Sequence, residues 1–203
     1  MKRITHTIAL FLVFVSLLAG SPPASADAPA ATLKADFVMT RKVAVLKEPL
    51  TSRGRLALGG PGRLRFETVH PSRSVLVING GNGWLHYPEL GVTKRFDIAA
   101  DPVMGILSEQ LAALSSGDFE ALASKYRITD TDGKKTLVPT DPAIGKLFSA
   151  LHVTLREKGV VNEVEMVSTS GDTTRIAFQN VVRGGALDPG LFADPGATSG
   201  AGK

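Results

Sequence analysis

The chain has no cysteine. Disulfide staples, thiolate metal sites and a cysteine nucleophile are therefore excluded, and a folded domain must be held by its core alone. Aromatic residues fill only 6% of the 203 positions, with a single tryptophan, Trp84. A large apolar surface must then be built chiefly from Leu, Val, Ile and Met. Neither H-x-x-x-H nor G-x-S-x-G occurs, so two common local signatures of catalytic sites are missing. No internal repeat is visible, and no apolar run reaches the about 20 residues that span a bilayer as a helix. Charge of one sign is also scarce. The formal net charge of +4 drops to +2 if Lys2 and Arg3 leave with a leader, whereas a nucleic-acid binder wants a clustered basic face.

What is present begins with that leader. Lys2-Arg3, an apolar run over residues 8–18 and the small-residue site Ala24-Ser25-Ala26 have the form of a cleaved secretory signal peptide over residues 1–26. One domain is expected over residues 27–193, opening with a short alanine-rich arm. Residues 194–203 are mostly Gly, Ala and Ser, too small and polar to bury anything, and read as a disordered tail.

Within the domain the dominant period is two. Leu64, Phe66 and Thr68 alternate with Arg63, Arg65 and Glu67, as in a strand with one face on a core and one in water. Phe37 and Met39 on the first strand, and Leu56 and Leu58 on the second, follow the same rule. Residues 74–78 are an apolar run ending in Asn79-Gly80-Gly81-Asn82-Gly83, a natural hairpin turn. Trp84 begins the return, and Phe96 and Ile98 share a face of the strand after it. Asp132-Gly133 marks another hairpin. Leu151 and Val153, Met166, and Ile176 and Phe178 then give three more strands. Asp101-Pro102 and Asp141-Pro142 are helix-start signals. The first leads a 3.6-residue stripe of Val103, Ile106, Leu107, Leu111 and Leu114; the second leads a short segment with Ile144, Leu147 and Phe148.

Roughly ten antiparallel strands broken by a few short apolar helices make the fold class mainly β with short α, a curled sheet with helices on its concave side. The expected concave lining is Phe37, Met39, Leu56, Leu58, Leu64 and Phe66, then Val75, Val77, Trp84 and Phe96. From the last strands come Leu151, Val153, Met166, Ile176 and Phe178, and from the helix Met104, Leu107 and Leu111. These residue types suit a dry core or a cavity for alkyl chains, and both readings stand on the residues alone. A lone Trp on a strand is more often core than ligand wall, and Met fills gaps in cores as readily as in pockets.

Several stretches, in order, carry a resemblance: Ala35-Asp36-Phe37, Gly62-Arg63-Leu64-Arg65-Phe66, Leu76-Val77-Ile78-Asn79-Gly80, Trp84 with Pro88, Thr136-Leu137-Val138-Pro139, the run from Thr174 through Val181, and Asp188-Pro189-Gly190-Leu191-Phe192. Together the run over residues 35–192 resembles the LolA family of outer-membrane lipoprotein carriers, especially its shorter branch. The resemblance implies an incomplete β-barrel under a helical lid. It implies a non-catalytic periplasmic carrier of a Gram-negative cell, without cofactor, that shields the acyl chains of a lipoprotein, or of another lipid or polyene product, between an inner-membrane exporter and an outer-membrane acceptor. A monomer is expected. Two departures stand out. Longer members start with an amphipathic lid helix where this chain has only residues 27–34, and their lid-latching arginine before a strand proline is here Gly60 before Pro61.

Two other readings stand beside a carrier. An enzyme would draw on His70, His86 and His152 with Ser74, Glu67 and Glu89, but no spacing unites them. A sensing module on the same fold would bind a lipid or lipoprotein without transporting it.

Overall fold

The structure is a computed structural model that describes residues 32–60, 62–98, 100, 122–156 and 160–197. The expected signal peptide and the helix expected at 103–114, with Met104, Leu107 and Leu111, lie outside these residues.

Among the described residues, eleven strands form one antiparallel sheet in the order β6-β5-β4-β3-β2-β1-β11-β10-β9-β8-β7. The first half is a meander: β1 (Thr32–Lys42), β2 (Leu50–Gly59), β3 (Arg63–His70), β4 (Ser74–Asn79), β5 (Asn82–Tyr87) and β6 (Val92–Asp97). The second is another: β7 (Tyr126–Thr131), β8 (Lys134–Pro139), β9 (Phe148–Arg156), β10 (Val160–Ser168) and β11 (Thr173–Arg183). Pairing of β1 with β11, from Leu33 opposite Arg183 to Lys42 opposite Thr173, joins the halves. The sheet is curled and open, with β6 and β7 as its two edges, so the word barrel overstates its closure.

Turn chemistry sets the register. Gly80 and Gly81 link Asn79 to its partner Asn82, and Gly80 has φ +60°, where a side chain would be strained. Asp132 and Gly133, both at positive φ, close the β7–β8 hairpin as their sequence demands. The Asp141-Pro142 signal yields a helix of four residues, α1 (Pro142–Gly145), capped by Asp141 Oδ1, which accepts from the Ala143 and Ile144 amides at 2.7 and 3.2 Å. Phe148, expected in this helical segment, instead opens β9. Its ring is wholly buried, and the strand that follows gives it a place on the inner face.

Alternation sorts the buried residues into two unequal clusters. The larger lies on one face and gathers side chains from both halves of the sheet, among them Phe37, Phe66, Leu85, Val153, Met166 and Phe178. The smaller comprises Ala57, Val75, Val77 and Phe192, with Trp84, Leu187 and Leu191 packed against it. We call these faces inner and outer.

Candidate functional site

The inner face is a continuous apolar wall. Register carries it across the sheet: Phe37 lies opposite Phe178, Met39 opposite Ile176, Ile176 opposite Val164, and Val164 opposite Val153. The Phe37 and Phe66 rings stack with centroids 4.1 Å apart and planes 17° apart. Gly54 makes that stack possible. It sits opposite Phe37 on β2, and the absent side chain leaves the strand bare where the Phe37 ring crosses it; an added Cβ would lie 2.5 Å from that ring. Tyr126 and Phe148 stack at 6.3 Å on the other half. Burial, then the nearby Asp141 carboxylate, pushes the Tyr126 phenol well above its ordinary value, so it remains neutral.

Most of the sheet residues expected to line a concavity meet in this one cluster: Phe37, Met39, Leu56, Leu58, Leu64, Phe66, Leu151, Val153, Met166, Ile176 and Phe178, with Phe96 half-buried against them. Val75, Val77 and Trp84 do not. They pack on the outer face, and Leu76, Ile78 and Leu85 take the inner positions. The reason is local: residues 75–78 are all apolar and all buried, so their pattern names no face, and a strand read one residue out of phase turns every side chain over.

One inner-face polar atom is unmatched. The Thr68 hydroxyl is buried and has no hydrogen-bond partner among the described residues. The hydroxyl-bearing Thr174 and Ser168 are also buried, Ser168 Oγ lying 2.7 Å from Ser170 Oγ.

The outer face carries a feature that residue pattern did not reveal. The segment 187–195, with a 3-10 turn at Pro189–Phe192, lies against β2 to β6 as a strap. Phe192 is buried against Ala57, Val75 and Val77, its ring tucked beside Gly59, where a Cβ would approach to 2.7 Å. The Arg63 guanidinium lies 5.1 Å from the Phe192 ring centroid. The Asn79 amide donates to Phe192 O at 3.2 Å and Arg65 Nη1 to Leu191 O at 3.3 Å. Arg95 pairs with Asp194 at 2.6 Å, so the chain is still attached to the sheet at the residue where the tail was expected to begin. The available signal was the apolar pair Leu191-Phe192 after Asp188-Pro189, too short to show periodicity.

Arg65 is itself positioned by Glu67, whose carboxylate bridges Arg65 at 3.1 Å and Arg73 at 3.0 Å. Burial works against the Glu67 charge, yet the hydrogen bond from Arg73 and the field of Arg65 outweigh it and hold the carboxyl below its usual range. Lys34, Asp36, Arg55 and Leu191 border a shallow groove of about 290 Å³ beside this network.

The residues an enzyme would need are dispersed. His86 Nδ1 lies 2.8 Å from Thr93 Oγ1 and His152 Nδ1 3.0 Å from Thr136 Oγ1, on different halves of the sheet. Glu67 is held by two arginines, Glu89 accepts from the Arg73 amide, and His70 is exposed at a strand end. Among the described residues no cluster of three His, Asp or Glu is placed to hold a metal.

The family model for the outer membrane lipoprotein carrier protein LolA matches residues 28–194. An outer-membrane lipoprotein carrier protein of Pseudomonas paraeruginosa is 30% identical over 141 residues, covering 68% of this chain and 65% of that protein. Another, from Dechloromonas aromatica, is 30% identical over 165 residues, covering 79% and 76%. The chain thus spans 65% of the length of the Pseudomonas relative. Among solved structures, a LolA superfamily protein of Nitrosomonas europaea aligns over 93% of this chain and 97% of its own, at 9% identity and a TM-score of 0.44.

Proposed function

Because the chain belongs to the LolA family of outer membrane lipoprotein carriers, we propose that it carries acylated lipoproteins through the periplasm, sheltering their acyl chains against the inner face of the sheet. The need for such a protein follows from transfer energies. Each buried methylene is worth about 0.8 kcal/mol, so exposing one chain of some 16 carbons to water costs on the order of 12 kcal/mol. An aqueous crossing at a useful rate requires that the chain be covered.

The observation that carries the reading is the unbroken apolar wall running from Leu85 on β5 to Val153 on β9. Aliphatic and phenyl groups hold an alkyl chain by contact alone, without directional bonds that would have to be broken on release. In this reading the segment 103–114 covers the wall, and opening it admits and discharges the cargo. A membrane exporter delivers the lipoprotein and an outer-membrane acceptor takes it. The leader, residues 1–26, directs export and is removed, and no cofactor or catalytic step is involved.

A fluorescent acyl probe, displaceable by a diacylated lipopeptide, tests this. Saturable binding with blue-shifted emission is expected, competed by the lipopeptide and weakened by Leu85→Asp on the wall. A folded protein that binds no probe at any concentration below the probe's micelle point would overturn it.

A further inference from the structure

The large exposed apolar side chains are not scattered. Among the described residues they are Val45, Leu46, Leu50, Leu90, Val92, Val138 and Val182. The strand register places the first five at one end of the sheet. Arg41 is opposite Leu50 at the β1–β2 turn, and Tyr87 opposite Val92 at the β5–β6 turn. The β3–β4 turn, with Thr68 opposite Ser74, opens at the same end between them. Val182, opposite Lys34, belongs to the other end. Val45 is 88% exposed and Leu90 73%, so neither side chain is using its apolar surface within this chain.

We propose that this end of the sheet is a lipid-bilayer contact surface, with the β1–β2 and β5–β6 turns dipping into the headgroup region. The partner's chemistry follows from the arrangement. The two tips are four strand spacings apart along the sheet, roughly 19 Å at about 4.8 Å each, and each carries exposed apolar side chains at the same end. A planar interface meets both tips together. Each tip is short and amphipathic, as interfacial anchors are. Arg41, Lys42 and Lys47 flank Val45 and Leu46, set against Glu48 and Asp172, so the first tip carries a positive excess that favours anionic lipid. Both tips are also braced. Asp172 Oδ1 accepts from the Ala44 amide at 2.9 Å, the Leu46 amide donates to Val43 O at 2.9 Å, and Gly91 N–H donates to Pro88 O at 3.2 Å across the second turn. A braced tip loses little conformational freedom on insertion. This goes beyond shielding a chain in transit: it states how the protein meets the membranes at either side of the journey.

The test is sedimentation of the protein, expressed from the whole chain and recovered as the cell processes it, with vesicles of phosphatidylethanolamine and phosphatidylglycerol. Salt-sensitive binding is expected, with less to pure phosphatidylcholine. Val45→Ser with Leu46→Ser and Leu90→Ser should lower it by roughly tenfold or more, as should Lys42→Glu with Lys47→Glu. Val182→Ser at the opposite end should change nothing. All these positions are exposed, so folding is expected to survive, and acyl-probe binding measured in parallel separates a lost docking surface from a lost cavity. Absence of vesicle binding overturns the proposal, as does binding that the three serines leave unchanged. Self-association of the protein that those serines abolish, without vesicle binding, would assign the surface to a second copy instead.

Discussion

Gly54→Ala tests whether the inner wall depends on one missing methyl group. The added Cβ would be driven against the Glu67 carbonyl oxygen and lie 2.5 and 2.7 Å from two carbons of the Phe37 ring. Neither neighbour is free to yield. The carbonyl belongs to β3, and the ring is sandwiched against Phe66 at 4.1 Å. Overpacking of this kind costs about 1–3 kcal/mol, and the upper part of that range applies where backbone must move. The smaller conformational freedom of unfolded alanine returns only about 0.4–1 kcal/mol. A net loss of about 2 kcal/mol is expected, which at a typical urea dependence of about 2 kcal/mol per molar lowers the midpoint by about 1 M. Gly81→Ala is the control, since nothing lies within 4 Å of its Cβ. Equilibrium urea denaturation followed by Trp84 fluorescence reads both. Equal midpoints for Gly54→Ala and Gly81→Ala would refute the reasoning and show that the β2–β3 pairing accommodates a side chain there.

Four further outcomes are expected. Phe192→Ala empties a site that is 1% exposed and should cost about 3–5 kcal/mol, while acyl-probe affinity of the folded fraction stays unchanged because the strap and the wall are on opposite faces. Glu67 has a folded pKa below its unfolded value, so its stabilising contribution is present above the unfolded pKa of 4.5 and is lost as pH falls through the folded value; Glu67→Gln should therefore flatten the acid limb of a stability-versus-pH curve, and an unchanged limb would show the two arginines do not matter. Thr68→Val replaces a buried hydroxyl without a partner among the described residues, so thermal stability should be equal or higher, given the about 1–3 kcal/mol cost of an unsatisfied buried group. Leu107→Ala, on the segment proposed as the cover, should weaken probe retention clearly while moving the urea midpoint little; a loss of about 2–5 kcal/mol with unchanged binding would make that segment core.

The strands were legible because half of the sheet is wet. Along β3, Leu64, Phe66 and Thr68 are buried while Arg63, Arg65 and Glu67 are half-exposed, and period two is visible when one face must meet water. The same logic failed on β4. The strap covers its outer side, so Val75 and Val77 are as buried as Leu76 and Ile78, and no periodicity survives in four apolar residues. Trp84 was misplaced for the same reason, since the outer-face cluster it packs against includes Phe192, more than a hundred positions away in sequence and part of no repeating pattern. Long-range clamps such as Arg95 with Asp194 leave no local trace in a sequence. The cap at Asp141 was readable, because an aspartate before proline satisfies the first helical amides whatever surrounds it, although it could not say that the helix would run only four residues. The inner wall was visible as a list of aliphatic residues; that both halves of the sheet share it depends on the β1–β11 pairing, which closes a separation of some 140 residues.

The function proposed above requires that the cargo be an acylated polypeptide. Native mass spectrometry of the protein isolated gently from its own cells measures this most directly, with proteolysis and organic extraction of the bound fraction to identify what is attached. A complex of one carrier with one lipoprotein is expected, and extracts containing diacylglyceryl-modified amino-terminal peptides. Carrier recovered only with free lipid and never with a modified peptide, in cells that are making lipoproteins, would contradict it.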